Sequence, residues 1–155
     1  VKAGKGAEPG HEYAGRLFAG MTDRYENPNT PNDWIALDAD VVADHGSDPF
    51  NNLNNPPTIQ LMYDLAALYD FIEADDWAGK VPADMPIYLI AGDQDPVGKY
   101  GEGVYHVANQ LWDSGHKRVT TKVYTGYRHE IHNEPPIRDE VEDGIVAFIQ
   151  DAIGG

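Results

Sequence analysis

Two short apolar segments in the second half of the chain, each followed by a helical pattern, constrain the fold more than any other feature. Residues 85–92 (MPIYLIAG) form a continuous apolar run that ends at a glycine, which is typical of a strand buried on both faces. Residues 119–126 (VTTKVYTG) are rich in β-branched residues and predict a second strand. The order strand–helix–strand–helix indicates a parallel sheet with covering helices, so the expected fold class is α/β.

Apolar residues at helical spacing predict two covering helices and a helical N-terminal half. The first covering helix lies between the strands and ends at Gly115, and the second begins at the proline pair 135–136. Upstream, we predict a short helix over residues 14–21, a weak helix over residues 37–44, and a longer helix that Thr58 caps. The apolar stripe of this longer helix consists of Leu61, Met62, Leu65, Leu68, Tyr69 and Ile72.

The two halves of the chain differ in their predicted content. Residues 1–76 are helical and rich in loops, without a convincing strand, whereas residues 77–155 carry both strands and their helices. A sheet of two strands is marginal in water. We therefore predict that a larger sheet continues beyond Ile87–Ala91, outside this chain. The chain also does not begin with Met, which hints at a fragment or a processed product.

Composition excludes several classes of partner and site. The 155 residues include 26 acidic and 11 basic side chains, and the formal net charge of −15 argues against nucleic acid and anionic membrane surfaces as partners. The chain contains no cysteine, which excludes disulfides, thiolate metal ligands and a cysteine nucleophile. No apolar run is long enough to span a membrane, and residues 1–10 do not form a signal peptide. We expect a cytoplasmic protein.

Polar residues follow both predicted strands. Asp93 and Asp95 lie in AGDQDPVG after the first strand, and His129 lies in GYRHEIHNE after the second. A right-handed crossover brings the carboxyl ends of parallel strands to one edge, so Asp95 and His129 can be neighbours in space. An aspartate that accepts a hydrogen bond from histidine Nδ1 fixes the tautomer and leaves Nε2 free to take a proton from a nucleophile. Asp93 could compete for this role or remain a loop residue.

The stretch HEIH, from His129 to His132, also admits a metal site. Its two histidines are one residue closer than in the H-E-x-x-H pattern, which places two ligands on one face of a helix. A zinc site would need a third ligand, which nothing in the sequence specifies. A metal-dependent hydrolase is therefore the weaker alternative. We interpret Arg128 and His132 as loop residues and expect the other histidines to be surface residues or internally satisfied.

The segments MPIYLIAGDQDPVGKYGEGV and VYTGYRHEIHNE resemble the C-terminal part of alpha/beta-hydrolase fold serine hydrolases. The branch they resemble contains the monoacylglycerol lipases and lysophospholipases, also called serine aminopeptidase-like hydrolases. This resemblance implies that Asp95 is the acid of a catalytic triad and that His129 is its base. Residues 27–50 are similar to the lid of that family, with Trp34 and Asp48 at matching places.

The nucleophile of that family, a serine in a G-x-S-x-G elbow, precedes the lid and has no counterpart in this chain. The two serines present are Ser47, in the lid-like loop, and Ser114, at the end of a helix, and we interpret both as structural. Glu130 and Glu134 also match the family pattern. We interpret them as buried partners of the turn and of the helix start.

By this resemblance, residues 77–155 supply the last two parallel strands of an alpha/beta-hydrolase fold with their covering helices, and residues 1–76 supply a helical lid. The implied function is a carboxylic ester hydrolase of the lysophospholipase or monoacylglycerol lipase type, with an acyl-ester or lipid substrate and no cofactor or metal. Its partner would be an N-terminal half that carries the serine, or a second copy that pairs at the open sheet edge. The chain alone would then be inactive. The alternative from another class is a non-catalytic α/β binding or interaction module.

Overall fold

The structure is a computed structural model, which describes residues 4–50, 56–72 and 76–154. In these ranges the chain forms five α-helices, two β-strands and three short 3-10 helices. The helices are α1 (His11–Leu17), α2 (Ala39–Ser47), α3 (Ile59–Ile72), α4 (Glu102–Asp113) and α5 (Arg138–Gly154). The strands are β1 (Ile87–Gly92) and β2 (Val119–Tyr124).

The two strands are parallel neighbours, as the sequence predicts. Their register pairs Ile87 with Val119 and Gly92 with Tyr124, so both strands end at the same edge. Helix α4 makes the crossover between them. It ends at Asp113, with Ser114 as its C-cap, and Gly115 follows with a φ of 96°, the left-handed conformation that a glycine after a helix adopts without strain. The predicted helix end is therefore confirmed.

The core of the C-terminal half lies between β2, the loop that follows it, and α5. Its buried members are Tyr124, Ile131, Ile137 and Val141, with Ile90, Tyr127 and Ile145 packed against them. The apolar residues of β2 and α5 thus meet on one face of the sheet, which fixes the loop that carries His129 to the end of β2. This packing positions the histidine loop relative to the end of β1.

The other apolar surfaces of the chain have little cover within the described ranges. Residues Ile87–Ile90 of β1 are only half-buried, although their sequence is typical of a strand buried on both faces. Helix α3 has no buried residue. Its exposed large apolar side chains are Leu61, Tyr63, Leu68, Tyr69, Phe71 and Ile72. The predicted apolar stripe of α3 is present, but no other part of the described chain buries it.

The N-terminal half differs from the prediction in its helix bounds. Helix α1 begins at His11 and ends at Leu17, so the predicted helix over residues 14–21 was wrong at both ends. A turn that includes Gly20 at a φ of 80° follows, and this left-handed conformation does not continue a helix. Helix α2 begins at Ala39 rather than 37, because the Asp38 carboxylate accepts hydrogen bonds from the first free N–H groups. It ends at Ser47 rather than 44, so Ser47 lies on the helix and not in the loop where it was predicted.

Thr58 caps α3 as predicted, since its hydroxyl accepts a hydrogen bond from the Leu61 N–H at 3.2 Å. A second, smaller core is formed by Ile35, Ala36 and Val42, against which Trp34 and Val41 pack. No helix in the described ranges is long and apolar enough to cross a membrane. Residues 51–55 of the predicted loop before α3, and residues 73–75 after it, lie outside the described residues.

Candidate active site

The end of β1 and the histidine loop approach each other so closely that only glycine fits between them. A Cβ atom on Gly92 would lie 2.0 Å from the carbonyl oxygen of Tyr127. Hydrogen bonds also join the two segments, since the Gln94 N–H donates to the Tyr127 carbonyl at 2.9 Å and the Asp93 N–H donates to the Tyr124 carbonyl at 3.0 Å. The loops that follow β1 and β2 are therefore held side by side.

Asp95 and His129 meet at this place, 34 residues apart in sequence. His129 Nδ1 lies 3.1 Å from Asp95 Oδ2. The aspartate is buried, with 5% of its surface exposed, whereas the side chain of His129 is 38% exposed. The other oxygen, Oδ1, accepts a hydrogen bond from the Val97 N–H at 2.8 Å, which fixes the orientation of the carboxylate. The predicted proximity of these two residues is confirmed.

The electrostatics of the pair favour a protonated imidazole. The hydrogen bond that His129 donates to Asp95 raises the pKa of His129 above its usual value of 6.5, burial acts against this, and the charges of Asp95 and Glu130 add to the rise. With Nδ1 donating to the carboxylate, Nε2 of the neutral ring is an acceptor. The arrangement can therefore take a proton at Nε2 and stabilise the imidazolium that results.

Asp93, the competing candidate for the acid, has different partners. Its Oδ1 accepts hydrogen bonds from the Gly126 N–H at 2.7 Å and from Gln94 Nε2 at 3.1 Å. The contact with Gly126 joins the turn after β1 to the turn after β2. Asp93 thus ties the two loops together, while Asp95 faces the imidazole.

Trp34 packs on His129, a contact that the sequence does not predict. The two ring centroids are 5.1 Å apart with an interplanar angle of 48°. The Trp34 carbonyl also accepts a hydrogen bond from the His129 N–H at 3.3 Å. Phe18 in turn stacks on Trp34, and the centroids of these two rings are 6.1 Å apart. Aromatic side chains therefore connect the N-terminal half to the histidine.

Arg128 is more than the loop residue that the sequence suggested. Its Nη1 donates to the carbonyls of Asp33 and Ala36, the latter at 2.8 Å, and its guanidinium lies 4.3 Å from the centre of the Tyr25 ring. Burial raises the pKa of Tyr25 to about 12, although Arg128 acts in the opposite direction. The neutral phenol donates to the Gln94 carbonyl at 2.6 Å. No pattern in the sequence marks these long-range contacts.

The remaining polar residues of the two motifs have structural surroundings. Glu134 is 1% exposed, and its carbonyl accepts hydrogen bonds from the N–H groups at the start of α5, as expected for a partner of the helix start. Glu130 is half-buried, and its Oε1 lies 3.8 Å from His45 Nδ1. His132 is exposed on a short 3-10 helix. Within the described ranges, no group of three or more histidine, aspartate or glutamate residues could hold a metal ion.

Both serines of the chain lie at helix ends. The Ser47 hydroxyl donates to the Asp44 carbonyl at 3.1 Å, on the last turn of α2. Ser114 is the C-cap residue of α4. The Ser47 hydroxyl thus bonds to a carbonyl of its own helix, and Ser114 caps the C-terminal end of the crossover helix α4.

An apolar groove with a volume of about 690 Å³ lies between α1 and α3. Its walls are formed by Lys5, Tyr13, Arg16, Leu17, Ile59, Met62, Tyr63 and Ala66. The groove does not include the Asp95–His129 pair. Phe18 follows Leu17, a residue of the groove wall, and stacks on Trp34. The ring contacts Phe18–Trp34 and Trp34–His129, which we call the aromatic row, therefore begin one residue after the groove wall and end at the imidazole.

The chain is similar to one known family and to solved structures over most of its length. It matches the model of the family described as serine aminopeptidase, S33, over residues 3–136. A solved structure, a highly thermostable carboxyl esterase from Bacillus coagulans in complex with glycerol, is 56% identical with a TM-score of 0.91. A lipase in its open form is 39% identical with a TM-score of 0.81. No curated protein matches the chain.

The chain spans about half the length of these solved structures. The match to the carboxyl esterase covers 97% of this chain but 48% of the esterase. The match to the lipase covers 90% of this chain and 44% of the lipase. The predicted α/β-hydrolase architecture is confirmed, and the two parallel strands with their helices are part of that fold.

Proposed function

We propose a function from the premise that this chain belongs to the family of the serine aminopeptidases, S33, which are alpha/beta hydrolases. The family has members of the esterase and lipase type. In our proposal this chain forms part of a carboxylic ester hydrolase, in which His129 is the general base and Asp95 orients it. The observation that carries the proposal is the contact between His129 Nδ1 and the buried carboxylate of Asp95, at 3.1 Å.

In the proposed reaction, His129 transfers the proton and Asp95 stabilises the protonated ring. His129 Nε2 takes the proton of a serine hydroxyl as the serine oxygen attacks the ester carbonyl and forms a tetrahedral intermediate. The imidazolium then gives this proton to the leaving alcohol, and an acyl-enzyme remains. Water repeats the sequence and releases the acid. Asp95 stays ionised throughout and stabilises the imidazolium, consistent with the raised pKa of His129.

The serine comes from outside this chain in our proposal. Neither Ser47 nor Ser114 lies in a G-x-S-x-G elbow, and both occupy helix ends. We therefore assign the nucleophile to an N-terminal half of the fold, which would also cover β1 and the exposed side chains of α3. Residues 1–76 would then act as the lid and residues 77–155 as the C-terminal part of the hydrolase core.

The substrate in our proposal is an acyl ester of the monoacylglycerol or lysophospholipid type. The support is the apolar groove of about 690 Å³ between α1 and α3, together with the aromatic row, which begins at Phe18, one residue after Leu17 of the groove wall, and ends at His129. An acyl chain in this groove would be stabilised by about 0.8 kcal/mol for each buried CH₂ group. The ester carbonyl would lie at the His129 end of the row.

The test uses a joined enzyme, in which this chain follows the N-terminal half of the carboxyl esterase from Bacillus coagulans. We expect the joined enzyme to hydrolyse butyrate esters and to react with a fluorophosphonate probe at the serine of the added half. His129→Ala should abolish ester hydrolysis, and the matched control His132→Ala, on the same loop, should retain it. Unimpaired hydrolysis by the His129→Ala variant would refute the proposed base.

A further inference from the structure

Residues 33–37 and residues 128–134 are joined by a series of hydrogen bonds directed at the backbone of the first segment. We call these two stretches segment 33–37 and the histidine loop. The bonds run from Arg128 Nη1 to the carbonyls of Asp33 and Ala36, from the His129 N–H to the Trp34 carbonyl, from the Glu130 N–H to the Ile35 carbonyl, and from the Leu37 N–H to Glu134 Oε1. Every residue of segment 33–37 is therefore tied to the histidine loop.

Glu134 holds the C-terminal end of segment 33–37. It is 1% exposed, so its carboxylate has left water almost completely, and a buried carboxylate is costly unless it accepts hydrogen bonds. The Leu37 N–H supplies such a bond from 97 residues away in sequence. Because the Glu134 carbonyl also accepts hydrogen bonds from the N–H groups of Ile137 and Arg138, at the start of α5, the residue is fixed to the core of the C-terminal half.

Arg128 holds the other end. Its guanidinium lies over the ring of Tyr25, which donates to the carbonyl of Gln94 in the turn before Asp95. The same guanidinium donates to carbonyls on both sides of Trp34, those of Asp33 and Ala36. Arg128 therefore connects segment 33–37 to the loops after both strands.

Trp34 lies between these two attachment points, with its indole on the ring of His129. An aromatic ring packed on an imidazole limits the rotation of the imidazole about its χ2 angle. We propose that Arg128 and Glu134 are positioning residues, which hold Trp34 on His129 and so keep Nδ1 directed at Asp95. This inference rests on the proposed function, because it assumes that His129 is the base of the reaction.

Tryptophan fluorescence gives a direct readout of this contact in the joined enzyme. A protonated imidazole quenches an indole that it touches, so part of the fluorescence should rise as His129 loses its proton with increasing pH. Trp34→Phe should remove this component. Glu134→Ala and Arg128→Met should reduce it at least about twofold, because Trp34 would leave the histidine more often. Glu134→Gln should keep it, since the amide oxygen can still accept the Leu37 hydrogen bond.

Kinetics separate positioning from a structural role. We expect Glu134→Ala to lower kcat for a butyrate ester about tenfold with KM within about twofold, and Glu134→Gln to restore kcat to within about threefold. The matched control Glu140→Ala, which removes an exposed carboxylate paired with Lys122, should change neither kcat nor fluorescence. If Glu134→Ala does not fold, Arg128→Met decides the outcome by the same two measurements.

The outcomes distinguish this inference from the proposed function. An unchanged kcat and an unchanged pH-dependent fluorescence in Glu134→Ala or Arg128→Met would overturn the positioning role. Full activity of Asp95→Asn in the same joined enzyme would instead overturn the proposed function. A loss of kcat in Glu134→Ala that Glu134→Gln does not restore would also count against the inference, because the Leu37 hydrogen bond would not be its cause.

Discussion

Replacing Asp95 with asparagine exchanges one carboxylate oxygen for an NH₂ group, and the structure determines which of the two positions that group takes. The Val97 N–H donates to Oδ1 at 2.8 Å, and it requires an oxygen in that position. The amide NH₂ of the variant must then occupy the position of Oδ2, 3.1 Å from His129 Nδ1. Because the amide nitrogen only donates hydrogen bonds, Nδ1 becomes the acceptor and the proton of the neutral ring moves to Nε2. His129 can no longer act as a base in this tautomer.

The size of the effect follows from the cost of the opposite orientation. Turning the amide would place its NH₂ against the Val97 N–H and leave a buried donor unpaired, which costs about 1–3 kcal/mol. This bias alone disfavours the active tautomer by about 5- to 150-fold. The variant also loses the carboxylate charge that stabilises the imidazolium. Together we expect kcat to fall by about 10²–10⁴, with the upper value that of the same substitution in a serine protease triad.

The assay is the hydrolysis of a butyrate ester by the joined enzyme as a function of pH, with thermal unfolding as a check on the fold. A general base must be neutral to act, so activity rises as the pH passes the pKa of His129. Since Asp95 raises this pKa above 6.5, the wild-type acidic limb should lie above that pH, and the residual limb of Asp95→Asn should lie lower. Asp93→Asn is the control, because its amide oxygen can still accept the Gly126 hydrogen bond. Wild-type turnover by Asp95→Asn would refute the assignment, and a loss confined to Asp93→Asn would move the acid to that residue.

Three further predictions concern the lid, the isolated chain and the junction of the two loops. If the groove between α1 and α3 binds the acyl chain, the joined enzyme should hydrolyse medium-length esters faster than acetyl esters. Met62→Trp, which fills the groove, should shift this preference to shorter chains. A flat chain-length profile in the joined enzyme and in its Met62→Trp variant would show that the groove serves only packing. The isolated chain should not react with a fluorophosphonate probe, because neither of its serines lies in a G-x-S-x-G elbow, and labelling would contradict this expectation. It should also not sediment as a stable monomer, because β1 and α3 expose apolar surface, and a well-behaved monomer would contradict that expectation. Gly92→Ala should destabilise the joined enzyme by about 3 kcal/mol in urea unfolding, because its Cβ would meet the Tyr127 carbonyl at 2.0 Å; an unchanged unfolding midpoint would mean that the loop can move away.

The positions of Asp95 and His129 illustrate what could be predicted before the structure was known. Each follows an apolar, strand-forming segment, and parallel strands joined by a right-handed crossover end at the same edge of a sheet. Proximity of the two residues follows from this chain of local rules, and the structure has them 3.1 Å apart. The roles of the two residues in catalysis stay a prediction.

The bounds of α1 show where local rules were insufficient. Apolar spacing in residues 14–21 is compatible with a helix, but the helix ends at Leu17, before a turn that includes Gly20. Helical periodicity marks which face is apolar, and it does not mark where a turn interrupts the backbone. In α3 the opposite holds, because the Thr58 cap is a local signal and was recognised correctly.

The sequence by itself determined the α/β class, the order of the strands and helices, and the two loops that carry Asp95 and His129, since all of these depend on local spacing and turn chemistry. The tertiary structure alone decided which side chains surround the pair. Trp34 reaches His129 across 95 residues of sequence, and Glu134 reaches Leu37 across 97. Such contacts depend on how two segments far apart in sequence pack, and neither a buried carboxylate nor a half-buried tryptophan leaves a periodic signal in a single sequence. For that reason the pair could be predicted, and the residues that hold it in place could not.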